Sequence, residues 1–336
     1  MRRILATIRF WTENARTKAL PQSLLPAVLA FCMASQHDGF SAVPGLLAIA
    51  GVMAGHLSMN LFDDYFDYRV KGSEFREAMA RKGFRARIAK CAYITSGRTG
   101  LKQLLTACLA FGAITLCIGF AIFLFRGTVI LWLALATAVL GISYSGWPLR
   151  FSYHGMGEML IGIMFGPLLM TGVYYSACGQ WDWTTAFVSV PVGLLVANIV
   201  YTHAIMDCEP DREAGKKTFA VLLKRKSLML ASLFILLAAA YSSILCGVMQ
   251  GYLSSAYLLT MLTLPMAVAL CYLMVEFVRH PERKFSPRLW MGPMGDWKRI
   301  QSFNLDWFMI RWLLARNLLS FFCLIIIAVS LIPRFS

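Results

Sequence analysis

Asn60-Leu-Phe-Asp63-Asp64-Tyr-Phe-Asp67 ends one long apolar run, and Asp207-Cys-Glu-Pro-Asp211 ends another about 140 residues further on. Carboxylates placed at the ends of two hydrophobic stretches point to a metal–diphosphate site at a membrane surface. Hard Mg²⁺ takes oxygen ligands and keeps part of its coordination sphere for substrate phosphates, so a few carboxylates converging from two segments are enough. This reading makes two demands on the rest of the chain. It must span a bilayer, and it must bring cations for phosphate to the same face as the acids.

The first demand is met by composition. The 336 residues are 58% hydrophobic, more apolar surface than a soluble domain buries. Runs long enough to cross a hydrocarbon core of about 30 Å lie at 20–36, 41–66, 102–125, 128–145, 156–178, 184–206, 228–250, 255–278 and 307–332. They predict an all-α polytopic membrane protein with about nine transmembrane helices. The basic residues test that count, because Lys and Arg concentrate in cytoplasmic connections. With the N-terminus inside, segments 1–19, 67–101, 146–154, 207–227 and 279–306 hold 27 of the 32 Lys and Arg residues, while the opposite-side segments hold Arg126 and Arg334. The expected organisation is an interfacial segment at 1–19 and one transmembrane domain over 20–332. Cap segments 67–101 and 207–227 and an interfacial insertion at 279–306 complete it.

The net charge of +15 is then a topology signal plus attraction to anionic lipid, and nucleic-acid binding is a poor explanation for it. Nine cysteines, without a CxxC pair and mostly inside apolar runs, behave as small hydrophobes and imply neither a disulfide framework nor a zinc site. The opening ten residues are basic and amphipathic, lack the apolar centre of a cleavable signal, and suit an interfacial helix with Arg2, Arg3 and Arg9 near headgroups. Trp290 and Trp297, with Trp307 and Trp312 beyond, give the 279–306 region the composition of the headgroup layer.

The second demand is met by what surrounds each acidic cluster. On a helical wheel of about 100° per residue, His56, Asn60, Asp63, Asp64, Asp67 and Lys71 fall in one stripe roughly 100° wide, with Phe62 and Phe66 elsewhere. Polar groups at that depth are costly to insert and mark a functional site, and three carboxylates within five residues repel one another unless a cation is present. In the second cluster, His203, Asp207 and Asp211 fall on adjoining turns, and Pro210 predicts a kink or a helix restart with Pro210 in its first turn. His203 fits a packed, hydrogen-bonded histidine better than a metal ligand. Each cluster runs into a basic tail, with Arg69, Lys71, Lys82, Lys90 and Arg98 in the first and Arg212, Lys216 and Lys217 in the second. Such cations grip phosphate oxygens. The layout of helix, acidic motif and basic loop occurs in both halves and hints at an internal repeat.

At Asn60-x-x-Asp63-Asp64-x-x-Asp67 and Asp207-x-x-x-Asp211 the chain resembles the UbiA superfamily of intramembrane prenyltransferases. Ala15-Arg-Thr-Lys-Ala-Leu-Pro21, Thr95-Ser-Gly97, Tyr144-Ser-Gly-Trp-Pro-Leu149, Gly155-Met-Gly-Glu158 through Phe165-Gly-Pro167, and Asp211-Arg-Glu-Ala-Gly-Lys-Lys-Thr218 resemble its 1,4-dihydroxy-2-naphthoate polyprenyltransferase branch, in order over residues 15–227. The chain departs from that branch at Asp63, where Asn is usual, at Thr17, where Pro is usual, and at His203, Ala204 and Met206. The long 279–306 insertion, followed by Arg311 and Arg316, is also atypical.

The resemblance implies transfer of a polyprenyl group from an allylic diphosphate to an aromatic acceptor, inside a ring of helices around a central cavity. Asp64, Asp67, Asp207 and Asp211, helped by Asn60 and Asp63, would hold Mg²⁺. Arg16, Asn60, Lys71, Arg98 and Lys216 would bind the diphosphate. The implied location is a bacterial-type inner membrane with the site facing the cytoplasm. Dihydroxynaphthoate is the acceptor this branch implies; hydroxybenzoate, a tetrapyrrole, a glycerophosphate lipid and a sugar phosphate are the alternatives within the superfamily. From another class, a cation-coupled transporter would also carry intramembrane acids, but at the midplane and not at one surface.

Overall fold

Each apolar run is helical in a computed structural model of the chain, which describes the backbone of residues 2–81, 91–213 and 215–332 and, within these, all side chains except those of residues 2–4, 18 and 70–81. The main helices are α1 (Arg2–Asn14), α2 (Pro21–Ala34), α3 (Ala42–Arg81), α4 (Leu101–Arg126), α5 (Val129–Ser145), α6 (Gly157–Cys178), α7 (Trp183–Met206), α8 (Lys226–Met249), α9 (Ser255–Arg279) and α10 (Asp306–Leu331). Seven of them, α3 as far as Arg69, α4 and α6 to α10, are long and apolar enough to cross a membrane. The 14-residue α2 and 17-residue α5 rise about 21 and 26 Å, short of the core thickness. Among the described residues, seven of the nine expected spans are thus long and apolar enough to cross.

The helices pack in a closed circuit. α3 lies along α4, α7 along α8, and α10 returns to pack on both α2 and α7. The tightest seam joins α6 and α7. A Cβ added to Gly166 would sit 2.4 Å from the Gly193 Cα, and one on Gly193 would sit 2.5 Å from the Gly162 carbonyl oxygen, so only glycines allow these two backbones to touch. The seam coincides with a widened π-type turn at Met164–Leu168 that contains Pro167, a residue unable to donate the usual helical hydrogen bond.

Two features place the site. α3 runs without a break through its acidic cluster, whereas α7 stops at Met206. Asp207 takes the cap position, and a short helix, Cys208–Glu213, restarts with Pro210 in its first turn, the break that the proline predicts. The 279–306 insertion is tied to α10: Asn317 Nδ2 donates to the carbonyls of Met291 and Pro293 at 2.9 and 3.0 Å, and Arg316 Nη2 donates to that of Pro293 at 3.2 Å. Gly292 allows this approach, since its φ of 82° and the Asn317 amide 3.0 Å from a would-be Cβ leave no room for a side chain.

Candidate active site

The first cluster is organised around Arg16. This residue sits in the left-handed region at φ 62°, ψ 49°, a conformation that is uncommon outside glycine and costs energy. Its Nη2 donates to the Asn60 carbonyl at 2.7 Å, to Asp64 Oδ1 at 3.0 Å and to Asp63 Oδ2 at 3.2 Å. Asn60 Nδ2 donates back to the Ala15 carbonyl at 2.9 Å, which locks the turn at residues 15–16 onto α3. Burial opposes the Arg16 charge, but Asp64 and Asp63 outweigh it and hold the guanidinium above its ordinary pKa.

Three hydroxyls from other segments take up further carboxylate oxygens. Tyr93 donates to Asp64 Oδ2 at 3.0 Å, Ser145 to Asp63 Oδ1 at 2.6 Å and Tyr153 to Asp67 Oδ1 at 2.5 Å. Burial, then the adjacent Asp64 and Asp67 carboxylates, raise the pKa of Tyr93 and Tyr153 respectively above the usual phenol value. Both therefore remain neutral donors at physiological pH. Deeper in the same stripe, His56 Nδ1 shares a proton with Ser23 Oγ at 2.7 Å and packs its ring on Phe165.

In the second cluster His203 Nε2 lies 3.0 Å from Asp207 Oδ2, and its ring meets the Phe308 ring edge-on at 5.1 Å. The hydrogen bond is the one the sequence favours, but the His203 side chain is 46% exposed and is not packed away. The Lys216 amide donates to the Asp211 carbonyl at 2.9 Å, folding the basic tail back, and the Lys216 ammonium stands 5.7 Å from the centre of the Tyr153 ring. Tyr153 thereby joins the two halves, with its hydroxyl on Asp67 and its face toward the cation of the second tail. Arg150, 4.4 Å from the ring centre, adds a second positive charge. A backbone bridge between His154 and Lys217 and a hydrogen bond from the Phe219 amide to Glu158 Oε1 at 3.1 Å hold the tail in place.

Arg16, Asn60, Asp63, Asp64 and Asp67 are thus assembled directly, and Lys216 joins them through Tyr153. Arg98 lies exposed between the Ala92–Thr95 turn of helix and α4. The Lys71 side chain, Lys82 and Lys90 lie outside the described residues. Sequence reasoning did not single out Tyr93, Ser145, Tyr153 or Arg150 as site residues. The available signal was their place in short connections on the side of the acidic clusters, with Ser145 and Tyr153 bracketing the Gly146–Leu149 turn.

The donor set fits magnesium. Asp64, Asp67, Asp207 and Asp211 are only 2, 4, 6 and 3% exposed, and burying so many carboxylates is expensive without cations. Among the described residues no three His, Cys, Asp or Glu side chains form a ready-made metal cage.

Compared with known proteins, residues 23–291 match the model of the UbiA prenyltransferase family. The chain belongs to the UbiA prenyltransferase family. It is accordingly a membrane-embedded prenyltransferase. A 1,4-dihydroxy-2-naphthoate octaprenyltransferase from Bacillus subtilis is 25% identical over 258 residues, covering 76% of this chain and 79% of the relative. The structure of a digeranylgeranylglyceryl phosphate synthase superposes with a TM-score of 0.62 at 15% identity, over 96% of this chain and 98% of that one. A UbiA homologue from Archaeoglobus fulgidus, bound to GPP and Mg²⁺, gives a TM-score of 0.56 at 16% identity over 92% of this chain and 99% of its own. These structural likenesses bear on the fold, which UbiA prenyltransferases share across low sequence identity.

Proposed function

We propose that this UbiA prenyltransferase moves a polyprenyl group from an allylic polyprenyl diphosphate to the ring of 1,4-dihydroxy-2-naphthoate, with Mg²⁺ on the diphosphate. The observation that carries the reading is the junction at Tyr153, where the Asp67 carboxylate and the Lys216 ammonium meet one ring. It would offer a diphosphate carboxylates able to hold a metal on one side and cations on the other. Asp64, Asp67, Asp207 and Asp211, with Asn60 and Asp63, would hold Mg²⁺. When bound, the ion neutralises charge on the departing diphosphate.

The chain's own residues do the remaining work. Arg16 fixes Asp63 and Asp64 and lends its charge to the phosphate side, and Lys216 lends another. As the allylic C–O bond breaks, its electron pair leaves with the diphosphate, and fixed positive groups stabilise that charge where it develops. The allylic cation needs walls that cannot attack it. Phe, Met, Leu and Ile of the helix circuit supply them and keep water out. The electron-rich acceptor carbon then forms the new C–C bond, and the carboxyl group leaves as CO₂, returning its electron pair to the ring. The acceptor assignment is supported by the naphthoate-acting relative and by the motif resemblance over residues 15–227.

Purified protein offered one polyprenyl diphosphate together with dihydroxynaphthoate, hydroxybenzoate and a phosphoribosyl acceptor is expected to prenylate dihydroxynaphthoate, read by mass spectrometry. Another product keeps the fold and the metal site and discards the naphthoate assignment. The 27-of-32 concentration of basic residues supports an inner-membrane protein with its site on the cytoplasmic face. A cysteine placed at Ser73 or Lys216, on a cysteine-free background, is expected to react with an impermeant label only from that face.

A further inference from the structure

Arg311 heads the side chains that are fully shut off from solvent, at 0% exposure, and the acidic site does not account for it. Its guanidinium is used on most sides. Nε donates to the Leu273 carbonyl at 2.9 Å and Nη1 to the Trp307 carbonyl. The rings of Phe277 and Phe285 lie 5.2 and 5.9 Å from it, and Trp307 stacks on Phe277 at 5.7 Å with the planes 7° apart. Nη2 is buried without any hydrogen-bond partner.

Among the described residues no carboxylate stands within ion-pair distance of Arg311. Glu276, the acid nearest in field, is taken by Arg283 at 2.7 Å, and Asp306 faces Lys284 at 4.0 Å. A buried cation left without a counter-charge is costly, and a buried donor left unpaired adds to that cost. Both costs vanish if an anionic oxygen reaches Nη2.

The surroundings narrow the anion. Nη2 carries two N–H donors, both in the guanidinium plane, and the rings of Phe277 and Phe285 lie close to the centre of that plane. A planar carboxylate can take such a fork with both oxygens in plane, and an aromatic carboxylate adds a flat ring to set among the flanking rings. The position is also right. Phe308, on the turn before Arg311, touches the His203 ring at 5.1 Å, and His203 bonds Asp207 at 3.0 Å. Arg311 therefore lies on the turn after a ring that touches the second acidic cluster. Arg283 and Phe285 belong to the 279–306 insertion, so that segment closes over Arg311 as a strap pinned by Asn317 and Arg316.

We propose that Arg311, enclosed by Phe277, Phe285 and Trp307, is the carboxylate-binding residue for an aromatic acid acceptor. The inference rests on the aromatic-acid reading of the acceptor given above. Because the carboxyl group is later lost as CO₂, Arg311 acts in acceptor capture and selection, not in breaking the diphosphate bond.

The test uses the full-length protein in nanodiscs. Equilibrium binding of 1-hydroxy-2-naphthoate and of 1-naphthol, which lacks the carboxylate, is measured for wild type, Arg311→Gln, Arg311→Lys and Phe285→Ala. Wild type is expected to prefer the acid by about tenfold or more, the size of a hydrogen bond to a charged group. Arg311→Gln should erase the preference, and Arg311→Lys should restore part of it. In turnover, Arg311→Gln and Phe285→Ala should raise KM for the acceptor while leaving KM for the diphosphate unchanged. If Arg311→Gln does not fold, Phe285→Ala decides, since it opens the cage without removing the charge. An unchanged preference for the acid, or an equal loss toward both substrates, overturns the inference. So does displacement of the acid by inorganic phosphate, or weakened acid binding in phosphatidylglycerol nanodiscs relative to phosphatidylcholine ones, which would assign the site to free or lipid phosphate. Wild-type protein that prenylates no aromatic acid defeats the proposed function; wild-type protein that does, with Arg311→Gln unaltered, defeats only this inference.

Discussion

Asp63, Asp64 and Asp67 ride one unbroken helix and are gripped from elsewhere, by Arg16 ahead of α2, Tyr93 ahead of α4, Ser145 at the end of α5 and Tyr153 ahead of α6. Asp207 and Asp211 straddle a break: one caps α7, and the other lies in the short helix that restarts beyond it, its carbonyl turning the chain back toward Lys216. The first cluster is therefore positioned by side chains that converge across the fold, whereas the second sits at a break in its own helix, with Asp207 bonded to His203 one turn earlier. Loss of a remote side chain should injure the first, whereas the second should respond to changes in conformational freedom along its own loop.

The largest effect is expected where the two clusters act alike. Asp64→Ala and Asp207→Ala should each lower transfer by about a thousandfold or more, the scale of losing a group that stabilises transition-state charge, with the protein still monodisperse and inserted. Chelation of divalent ions should do the same and be reversed by Mg²⁺. Near-normal turnover in either variant would remove the metal-site reading.

Next comes the group that organises the first cluster. Arg16→Ala removes the donor shared by Asn60, Asp63 and Asp64 and should cost about a hundredfold in kcat/KM, whereas Tyr153→Phe, which removes one hydrogen bond to a buried carboxylate, should cost about tenfold. Steady-state assays that place Tyr153→Phe below Arg16→Ala would shift the centre of the cluster to the Asp67 side. The smallest effect belongs to the second cluster. Gly215 holds φ at 65° with open space where a Cβ would go, so Gly215→Ala adds left-handed strain of about 1–2 kcal/mol without a clash. It should raise KM for the diphosphate by about fivefold through displaced Lys216, and Gly215→Asn should recover part of that. An Asn variant as impaired as the Ala variant would show that the backbone of this loop is not what places Lys216.

The sequence made the acidic clusters legible because their periodicity and their position at the ends of apolar runs are local properties. Arg16 and Lys216 were legible through the motif resemblance. Tyr93 and Tyr153 were not, because each is an ordinary residue in a short connection and acquires its role only when the helix circuit closes; Ser145, at the end of α5, lay in a quoted motif, but nothing local marked it as a partner of Asp63. The break at Pro210 was legible since proline acts on its own backbone. The count of crossings was less so: hydropathy marks α2 and α5 clearly, but where their helical geometry stops, at 14 and 17 residues, depends on the turns that flank them. Arg311 stood out as a charge inside the last span, while the cage around it comes from α9 and the insertion, which no local pattern brings together.

α3 is 40 residues long, about 60 Å at 1.5 Å per residue, roughly twice the thickness of a hydrocarbon core. Its outer part therefore works as an indexed shaft. Removing one residue between Arg69 and Arg81 would turn the helix end at Arg81 by about 100° around the axis, while removing seven, close to two full turns, would nearly restore its original heading and draw it some 10 Å closer to the bilayer. Tyr93, which follows this shaft in the chain, donates to Asp64, so the two deletions would read how closely the length and heading of the shaft are matched to the metal-binding carboxylates.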